Sequence, residues 1–536
     1  TIDADGVFFV DPTLGDLEVQ RYTNDQIEDE YDNMSLTLNG SIGDLEVVYA
    51  GAYTDRTSDQ DVDYTDYLFV GQYLPYYICD YYVTYTSFAP GNVPTGTCGA
   101  PNLLVDSTTN TEVMTHEFRV NAPISDTVSL TAGVFFSDLE LTELNLFTYP
   151  SSVDNDINYA PNYALTDISS TGAINNGGAG WFSAGPYSEP VIFFNDIRRT
   201  DKQQGVFGEL TIDTSETSEL TVGARWYDIE VDFEGSANSS FGNGFGNSDQ
   251  QRFGSNLSTQ YAPNNANGYP DKAQTDGVIG KVTYSWNPSE DIMYYVTWSE
   301  GFRPGLLNRP AGRTNSDGSY TIPAAIDSDE ITNYEFGWKS VLQDGQLRFN
   351  GSLFFVDVSG LQSTIFDPSI VNLFFSDNAA DAEIKGVEGD FIYYTETGLI
   401  LSGAFSLLDT EITKSLIPTG DIIVGQELAF APGFQGNISA RKEWDLEAGN
   451  TGYWQAQFTM SDKSYSDIMA PNRAEQDSYN LLNLRAGITN DDWFAEVYVD
   501  NVTDERAEIS NTFVFDRQRV AIIRPLTVGL RYKLKF

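Results

Sequence analysis

The last twelve residues, Pro525 to Phe536, read PLTVGLRYKLKF and alternate apolar and polar side chains without a break. Even positions hold the apolar side chains and odd positions the polar or small ones, namely Leu526, Val528, Leu530, Tyr532, Leu534 and Phe536 against Thr527, Gly529, Arg531, Lys533 and Lys535. Because successive side chains of a strand point to opposite sides, this strand would separate an apolar medium from water. Such a strand ending on an aromatic residue is typical of outer-membrane β-barrels, although a soluble β-sandwich strand would also alternate.

The composition favours a membrane protein built from strands and excludes one built from helices. Of the 536 residues 41% are hydrophobic, yet no stretch reaches the ~20 consecutive apolar residues that a spanning helix requires. A barrel strand shows only half its side chains to lipid, so such a protein can be polar on average. The alternation recurs at Leu220 to Trp226, Leu347 to Phe355, Leu482 to Ile488 and Trp493 to Val499.

Two kinds of connection separate the alternating runs. Eight short joints, rich in Gly, Asn, Asp, Ser or Pro as hairpin turns are, lie at residues 39–44, 122–127, 214–218, 287–291, 343–345, 396–398, 447–452 and 490–492. Much longer polar segments, such as residues 56–111 and 141–196, join the opposite ends of the runs. Eight turns and a terminal strand predict an all-β, transmembrane antiparallel β-barrel of about 17–18 strands, with short periplasmic turns and long extracellular loops.

The strand count also bears on the N-terminus. An odd number of strands cannot close an antiparallel barrel, because the first and last strands would run in the same direction. Tyr31 to Leu38 precedes a short turn and therefore already descends toward the periplasm, while residues 1–29 offer only a partial strand and loop segment. We therefore assign residues 30–536 to the barrel and expect an N-terminal part of the native protein to be absent from this sequence.

The charge balance is strongly acidic, with 78 Asp and Glu against 29 Lys and Arg and a formal net charge of -49. Such a surface repels nucleic acid, so no DNA or RNA partner is expected. The carboxylates are either solvated loop residues or sites where divalent cations bridge the protein to anionic lipid head groups.

Enzymatic chemistry has little support because the chain has a single histidine. His116 alternates in step with Met114 and Phe118, so its side chain is on the same face of the strand as theirs. It is therefore expected to face lipid or the aromatic girdle. Without a second histidine no Ser/His/Asp arrangement can be assembled. We expect neither catalytic residues nor a cofactor.

Ligand contacts are expected in the long loops and the upper lumen. Aromatic faces suit flat ligands, sugars or catecholates, and one loop is crowded with tyrosines, among them Tyr64, Tyr67, Tyr76, Tyr77, Tyr81 and Tyr82. Loop cations would suit an anionic iron chelate, and five stand out in so acidic a chain: Arg198, Arg199, Arg303, Arg309 and Arg313. Alternatively, the tyrosines pack against one another to order the loop, and the arginines pair with neighbouring carboxylates.

The tyrosine-rich loop and the strand leading into it carry two further features. Cys79 and Cys98 are expected to form a disulfide, because paired cysteines in an exposed loop of an envelope protein usually do so and no further soft metal ligands lie near them. Asp59, Asp61 and Asp63 could converge on a calcium ion, but they lack the Gly and distal Glu of a calcium loop. A solvated acidic strand end is the alternative.

Several segments resemble the TonB-dependent receptors of the Gram-negative outer membrane. They are THEFR at residues 115–119, YVTWSEGFRPG at 295–305, AEIKGVE at 382–388 and NVTDE at 501–505, just before the closing strand. The resemblance covers most of the chain from about Glu30 onward. It implies a barrel of about 22 strands when complete, filled by an N-terminal plug domain that is absent from this chain.

The resemblance also implies a function and a location. The chain would belong to an outer-membrane receptor and transporter that imports a scarce nutrient, with a ferric siderophore-type iron chelate as the favoured cargo. Its partners would be outer-membrane lipid and lipopolysaccharide, a small-molecule ligand, and the TonB energising complex, reached through a missing N-terminal segment. The alternatives are a passive channel, TonB-dependent uptake of an oligosaccharide or another non-iron nutrient, and a surface-anchored structural or adhesion barrel.

Overall fold

The computed structural model describes Glu18, Arg21 and Ile370 together with residues 23–64, 103–148, 191–239, 272–308, 310–367, 374–514 and 517–534. For residues 191–194, 196, 234–239, 513–514 and 517–518 only the backbone is described. Within these ranges the chain forms 21 strands and short 3-10 turns. None of the described helices has the length and apolar character needed to cross a membrane.

The strands are long and follow one another closely in sequence. In chain order they are β1 (Gln26–Ile42), β2 (Leu45–Asp63), β3 (Leu104–Ser125), β4 (Val128–Thr148), β5 (Val191–Ser215), β6 (Ser218–Ser239), β7 (Lys272–Ser289), β8 (Ile292–Arg303), β9 (Asp329–Leu342), β10 (Leu347–Ile365), β11 (Phe375–Tyr394), β12 (Leu399–Ser415), β13 (Phe434–Asp445), β14 (Thr451–Ser461), β15 (Ser464–Tyr465), β16 (Glu475–Gln476), β17 (Tyr479–Thr489), β18 (Trp493–Asp500), β19 (Glu508–Val514), β20 (Arg517–Ile522) and β21 (Thr527–Leu534).

Seventeen of these strands form a single antiparallel sheet, which confirms the fold class and the strand count expected from the short turns. Each of β1 to β13 pairs with the next strand in sequence, and β14 then pairs with β17, β17 with β18, and β18 with β21. The pairs β15–β16 and β19–β20 are separate two-stranded ribbons within loops. Short turns join the strands on one rim, and the long connections lie on the other.

The two faces of the sheet carry opposite chemistry. Large apolar side chains stand exposed on the outer face at alternate positions, including Val222, Trp226, Leu353, Leu484, Val497 and Leu530. Their neighbours in sequence point to the inner face, where Glu496 accepts hydrogen bonds from Tyr453 and Arg531. An exposed apolar face this extensive requires an apolar solvent, as the lipid assignment predicted.

The strands β3 to β6 extend well beyond the thickness of a membrane. They have 21 to 25 residues, whereas a tilted spanning strand needs about 9–11. On the outer face of β6 the side chains change from apolar at Trp226 to acidic at Asp228 and Glu230. The far halves of these strands therefore project into the extracellular medium.

The ends of the sheet approach each other without pairing. Within the described residues no ladder joins β1 to β21, and these two strands run in the same direction because the sheet has 17 strands. The guanidinium of Arg519, in the loop before β21, lies 5.0 Å from the ring centroid of Tyr64 at the end of β2. The sheet therefore curls until the loops of its two ends touch.

Candidate functional site

The segment between β8 and β9, residues 304–328, crosses the inner face of the sheet near the extracellular rim. At one point Leu307 packs in a cluster with Tyr227 and Val231 of β6. Next to it, Asn308 donates a hydrogen bond from Nδ2 to the Ser376 carbonyl of β11 at 2.7 Å, and its Oδ1 accepts one from the Ser376 amide at 2.8 Å. Because β6 and β11 are five strands apart, the segment spans part of the barrel mouth. We call it the crossing segment.

Both ends of the crossing segment are clamped to the wall. The Arg303 guanidinium donates from Nε, at 2.7 Å, and from Nη2 to Oδ2 of Asp329, whose side chain is only 1% exposed, and the Arg303 amide donates to Oδ1 at 2.9 Å. Gln362 of β10 donates from Nε2 to the carbonyls of Pro304 and Asp327, at 2.9 and 3.0 Å. These bonds hold the start and the end of the segment at one place on the rim.

The middle of the crossing segment is anchored by a buried tyrosine. The Tyr320 hydroxyl donates to Asp377 Oδ2 at 2.7 Å, and the residue is 7% exposed. Burial, reinforced by this hydrogen bond to a carboxylate, raises the pKa of Tyr320 far above its usual value of 10.0. The phenol therefore stays neutral and remains a donor.

Tyr320 belongs to an apolar core that the extracellular loops build among themselves. The core joins the crossing segment to the loops after β10, β12 and β14, through Ile322, Ile370, Ile417, Ile422, Ile468 and Met469. Arg473, in the loop after β14, stacks on Tyr465 with its guanidinium 3.8 Å from the ring centroid. We call this assembly of four connections the loop cap.

A cavity of about 190 Å³ lies between the crossing segment and the wall. Its apolar lining includes Phe233, Leu306, Phe374 and Phe375, and its one charged side chain is Arg199. Arg199 donates two hydrogen bonds to Asp201, at 2.6 Å from Nε and 2.5 Å from Nη2. A guanidinium has five N–H groups, so three remain for a ligand. The cavity can therefore hold a flat group with an acceptor or negative charge.

The five arginines proposed from sequence occupy different environments. Arg199 lines the cavity. Arg198 is an even number of residues from the exposed Val206 on the same strand, so its side chain points to the outer face. Arg303 is held by Asp329, and Arg313 lies on the crossing segment, where its carbonyl accepts from the Ile322 amide at 2.9 Å. Arg309 lies outside the described residues. Ligand binding by these side chains stays a prediction.

The tyrosine loop falls mostly outside the described residues, as do Tyr67, Tyr76, Tyr77, Tyr81 and Tyr82 together with Cys79 and Cys98. Tyr64 is described and packs edge-on against Phe147, with ring centroids 5.7 Å apart, in addition to its contact with Arg519. These contacts are the ones expected if Tyr64 packs against its neighbours to order the loop, the alternative to ligand binding. The disulfide remains a prediction.

The three aspartates proposed for calcium do not act together. Asp63 is 2% exposed and accepts a hydrogen bond from the Thr23 amide at 3.0 Å, whereas Asp59 accepts one from Thr108 at 2.7 Å. Asp61 lies opposite Asp106 in the ladder. Within the described ranges no group of three or more His, Cys, Asp or Glu could hold a metal ion.

His116 lies on the outer face, as the alternation of its strand predicted, and its Nδ1 is 2.8 Å from the Tyr49 hydroxyl.

Sequence reasoning missed Asn308, Asp329 and Gln362, which position the crossing segment. Each is a polar residue in or beside a long loop, and its partners lie up to 68 residues away in sequence. Only the YVTWSEGFRPG stretch, which leads into the crossing segment, carried a signal there.

Comparison with known proteins gives a family match and structural neighbours. The family model described as TonB-dependent receptor-like β-barrel matches residues 3–502. Among curated proteins, none matches the sequence.

Similar solved structures include three outer-membrane transporters. The ferric yersiniabactin uptake receptor FyuA of Yersinia pestis has 13% identity and a TM-score of 0.64, with 95% of this chain and 62% of that chain covered. The siderophore receptor PiuA of Acinetobacter baumannii has 14% identity and a TM-score of 0.59, covering 95% and 64%. The copper transporter OprC has 12% identity and a TM-score of 0.60, covering 95% and 66%. The chain thus spans less than two thirds of the length of these neighbours.

Proposed function

The chain belongs to the TonB-dependent receptor family of the Gram-negative outer membrane, and from that premise we propose that it imports a scarce nutrient, a ferric siderophore-type chelate. The single observation that carries the choice of cargo is the cavity under the crossing segment. There one arginine stands among phenylalanine rings at the barrel mouth. One aromatic or carboxylate arm of a ferric chelate would offer the flat face and the acceptor oxygens that this lining can bind, because about 190 Å³ is below the about 300–1,000 Å³ of sites that hold a whole small molecule.

We infer that the uptake is energised. The energy would come from the TonB complex, which would act through a segment N-terminal to this barrel portion. A plug domain in the lumen would keep the bound ligand from passing until that energy is supplied. The family match supports this inference, as do neighbours described as a ferric yersiniabactin uptake receptor and a siderophore receptor. The neighbour OprC is a copper transporter, so a non-iron cargo is the alternative within the same mechanism.

The loop cap argues against a passive channel. A channel requires an unobstructed bore, whereas the crossing segment spans from β6 to β11 and is fixed by buried side chains such as Asn308 and Asp329. A purely adhesive barrel has no need of a cavity facing the lumen. Uptake measurements separate these possibilities from transport.

The proposal is tested by measuring radioactive iron uptake in a deletion strain supplied with a panel of ferric chelates. We expect the strain to lose uptake of one chelate, and the full-length gene to restore it. Restoration should fail in a strain that also lacks TonB, because the transport is energised. Uptake that persists without TonB would indicate a passive channel, and unchanged uptake of every chelate would leave an oligosaccharide, another nutrient or adhesion as the function.

A further inference from the structure

The polar groups that face the cavity under the crossing segment are arranged to donate hydrogen bonds. Asn308 has both of its Nδ2 hydrogens committed to backbone carbonyls, at 3.0 and 2.7 Å. Arg199 keeps three N–H groups beyond its two bonds to Asp201. Thr364 and Ser376 lie opposite each other in the β10–β11 ladder, and their hydroxyls make no hydrogen bond within the described ranges. An occupant must therefore bring acceptor atoms.

The charge of this cavity is balanced before any ligand enters. Arg199 is the charged residue of the lining, and its ion pair with Asp201 neutralises it. Burying a charge among apolar side chains costs free energy unless the charge is paired. A neutral or singly charged oxygen can share the guanidinium, whereas a group with two or three negative charges would lie uncompensated beside the Asp201 carboxylate. The cavity therefore favours a phenol, a carbonyl or a single carboxylate over a citrate-type arm.

The size and the lining of the cavity fit one benzene ring. An apolar protein cavity of about 150 Å³ binds benzene, and this one has about 190 Å³, which leaves room for a small substituent. Phe233, Phe374 and Phe375 supply aromatic surfaces, against which a flat ring packs better than an aliphatic chain does. A whole chelate needs a site of about 300 Å³ or more. The metal centre of a bound chelate therefore stays outside the cavity.

Phe374 gives the cavity an accessible aromatic side. It is 56% exposed, whereas its neighbour Phe375 is buried in the core of the loop cap. The Phe374 ring packs on Phe366 with the ring centroids 4.9 Å apart. An incoming ring can therefore reach Phe374 without disturbing the core of the loop cap.

We infer that this cavity binds a single monocyclic aryl group of the cargo, with one oxygen of that group on Arg199 and with the metal outside. The inference rests on the proposed function and specifies its substrate class, a chelate whose organic part ends in a benzoyl-type or hydroxyphenyl-type ring. Recognition then depends on this aryl group and not on the metal ion. A free aryl acid should therefore bind to the receptor without any metal.

Calorimetric titration of the purified full-length receptor with benzoate, cyclohexanecarboxylate and citrate tests the class of ligand. Benzoate and cyclohexanecarboxylate carry the same charge, but only benzoate is flat. We expect benzoate to bind, cyclohexanecarboxylate to bind about three- to tenfold more weakly because it lacks the aromatic contacts, and citrate to show no saturable binding. Absence of benzoate binding, equal affinity for the two monocarboxylates, or tighter binding of citrate would overturn the inference.

Thr364→Phe and its matched control Thr200→Phe locate the site. Thr364 lines the cavity, so a phenylalanine there fills the space and should lower the affinity for benzoate about tenfold or more. Thr200 follows Arg199 on β5 and its side chain points to the outer face, so Thr200→Phe should bind benzoate as the unmodified receptor does. Equal affinities of the two variants would place benzoate elsewhere and overturn the inference.

A second variant keeps the test decisive if Thr364→Phe does not fold, which heat-modifiable electrophoretic mobility reveals. Phe374→Leu changes an exposed residue, keeps an apolar side chain and removes the ring. We expect it to lower the affinity for benzoate about three- to tenfold, and Phe374→Tyr to retain the affinity. A loss of the same size in Phe374→Tyr, or no loss in Phe374→Leu, would contradict aromatic recognition.

Radioactive iron uptake separates failure of this inference from failure of the proposed function. If the deletion strain loses uptake only of a chelate without an aryl group, the proposed function stands and the inference is overturned. If it loses uptake of no chelate although benzoate binds in the cavity, the proposed function is contradicted and the aryl site is supported. Loss confined to an aryl-bearing chelate supports both.

Discussion

Replacing Leu484 with arginine lowers the free energy of unfolding of the barrel in a bilayer by about 2–4 kcal/mol, the cost of an arginine at the midplane of the lipid face. Leu484 is 39% exposed on the outer face and lies five residues before the end of β17 at Thr489, about half of a spanning length. The guanidinium would have to lie in hydrocarbon or pull water and head groups toward it. Urea titration of the protein in lipid vesicles, followed by tryptophan fluorescence, measures the change.

Gln457→Arg is the matched control for Leu484→Arg. Gln457 lies on the adjacent strand β14, opposite Asn483, and its side chain points to the lumen. The same charge placed there remains in water, so the free energy of unfolding should change by no more than about 0.5 kcal/mol. Equal losses in the two variants would contradict the assignment of the faces.

Replacing Arg199 with glutamine weakens binding of the imported chelate by about 10- to 100-fold, because a hydrogen bond to a charged group contributes about 1.5–3 kcal/mol. Arg199 is the charged side chain of the cavity under the crossing segment. Calorimetric titration of the purified receptor with the chelate identified by uptake measures the loss. Arg198→Gln, one residue away on the outer face, is the control and should bind normally.

A second variant separates ligand binding from the local ion pair. Arg199→Gln also leaves Asp201 without its partner, so a structural loss could weaken binding indirectly. Asp201→Asn removes the competing carboxylate and keeps the arginine. We expect binding at least as tight as in the unmodified receptor. Weakened binding in Asp201→Asn would show that the ion pair holds the cavity together and that Arg199 does not contact the ligand.

The fold could be predicted from sequence because a barrel strand displays its two solvents at alternate positions. Segments such as Leu482 to Ile488 contain the whole signal locally, and the short turns supply the strand count. The loops were predicted too long at several places. Residues 141–196 were expected as one loop, but β4 continues to Thr148 and β5 begins at Val191. Above the membrane both faces of a strand meet water, so the alternation disappears although the ladder continues.

The site could be predicted only in part, because its geometry depends on distant contacts. Parity alone would have separated Arg198 from Arg199, since Val206 lies on the same strand and marks the lipid face. Nothing local shows that Asn308 reaches Ser376 or that Gln362 holds Pro304, because those contacts form only when the crossing segment lies across the mouth. The buried Asp329, the first residue of β9, likewise looks in the sequence like any other acidic residue of a chain with 78 Asp and Glu.

The central claim is that one face of the sheet lies in hydrocarbon and the other faces a polar bore, and spin labels along β17 test it most directly. A label would be placed at each position from Leu481 to Ile488, in bilayers, after replacing Cys79 and Cys98 with serine. We expect oxygen to reach the labels at 482, 484, 486 and 488 most readily, and a water-soluble nickel complex to reach those at 481, 483, 485 and 487. Equal access of the nickel complex to all eight positions, or alternation of the opposite phase, would contradict the account.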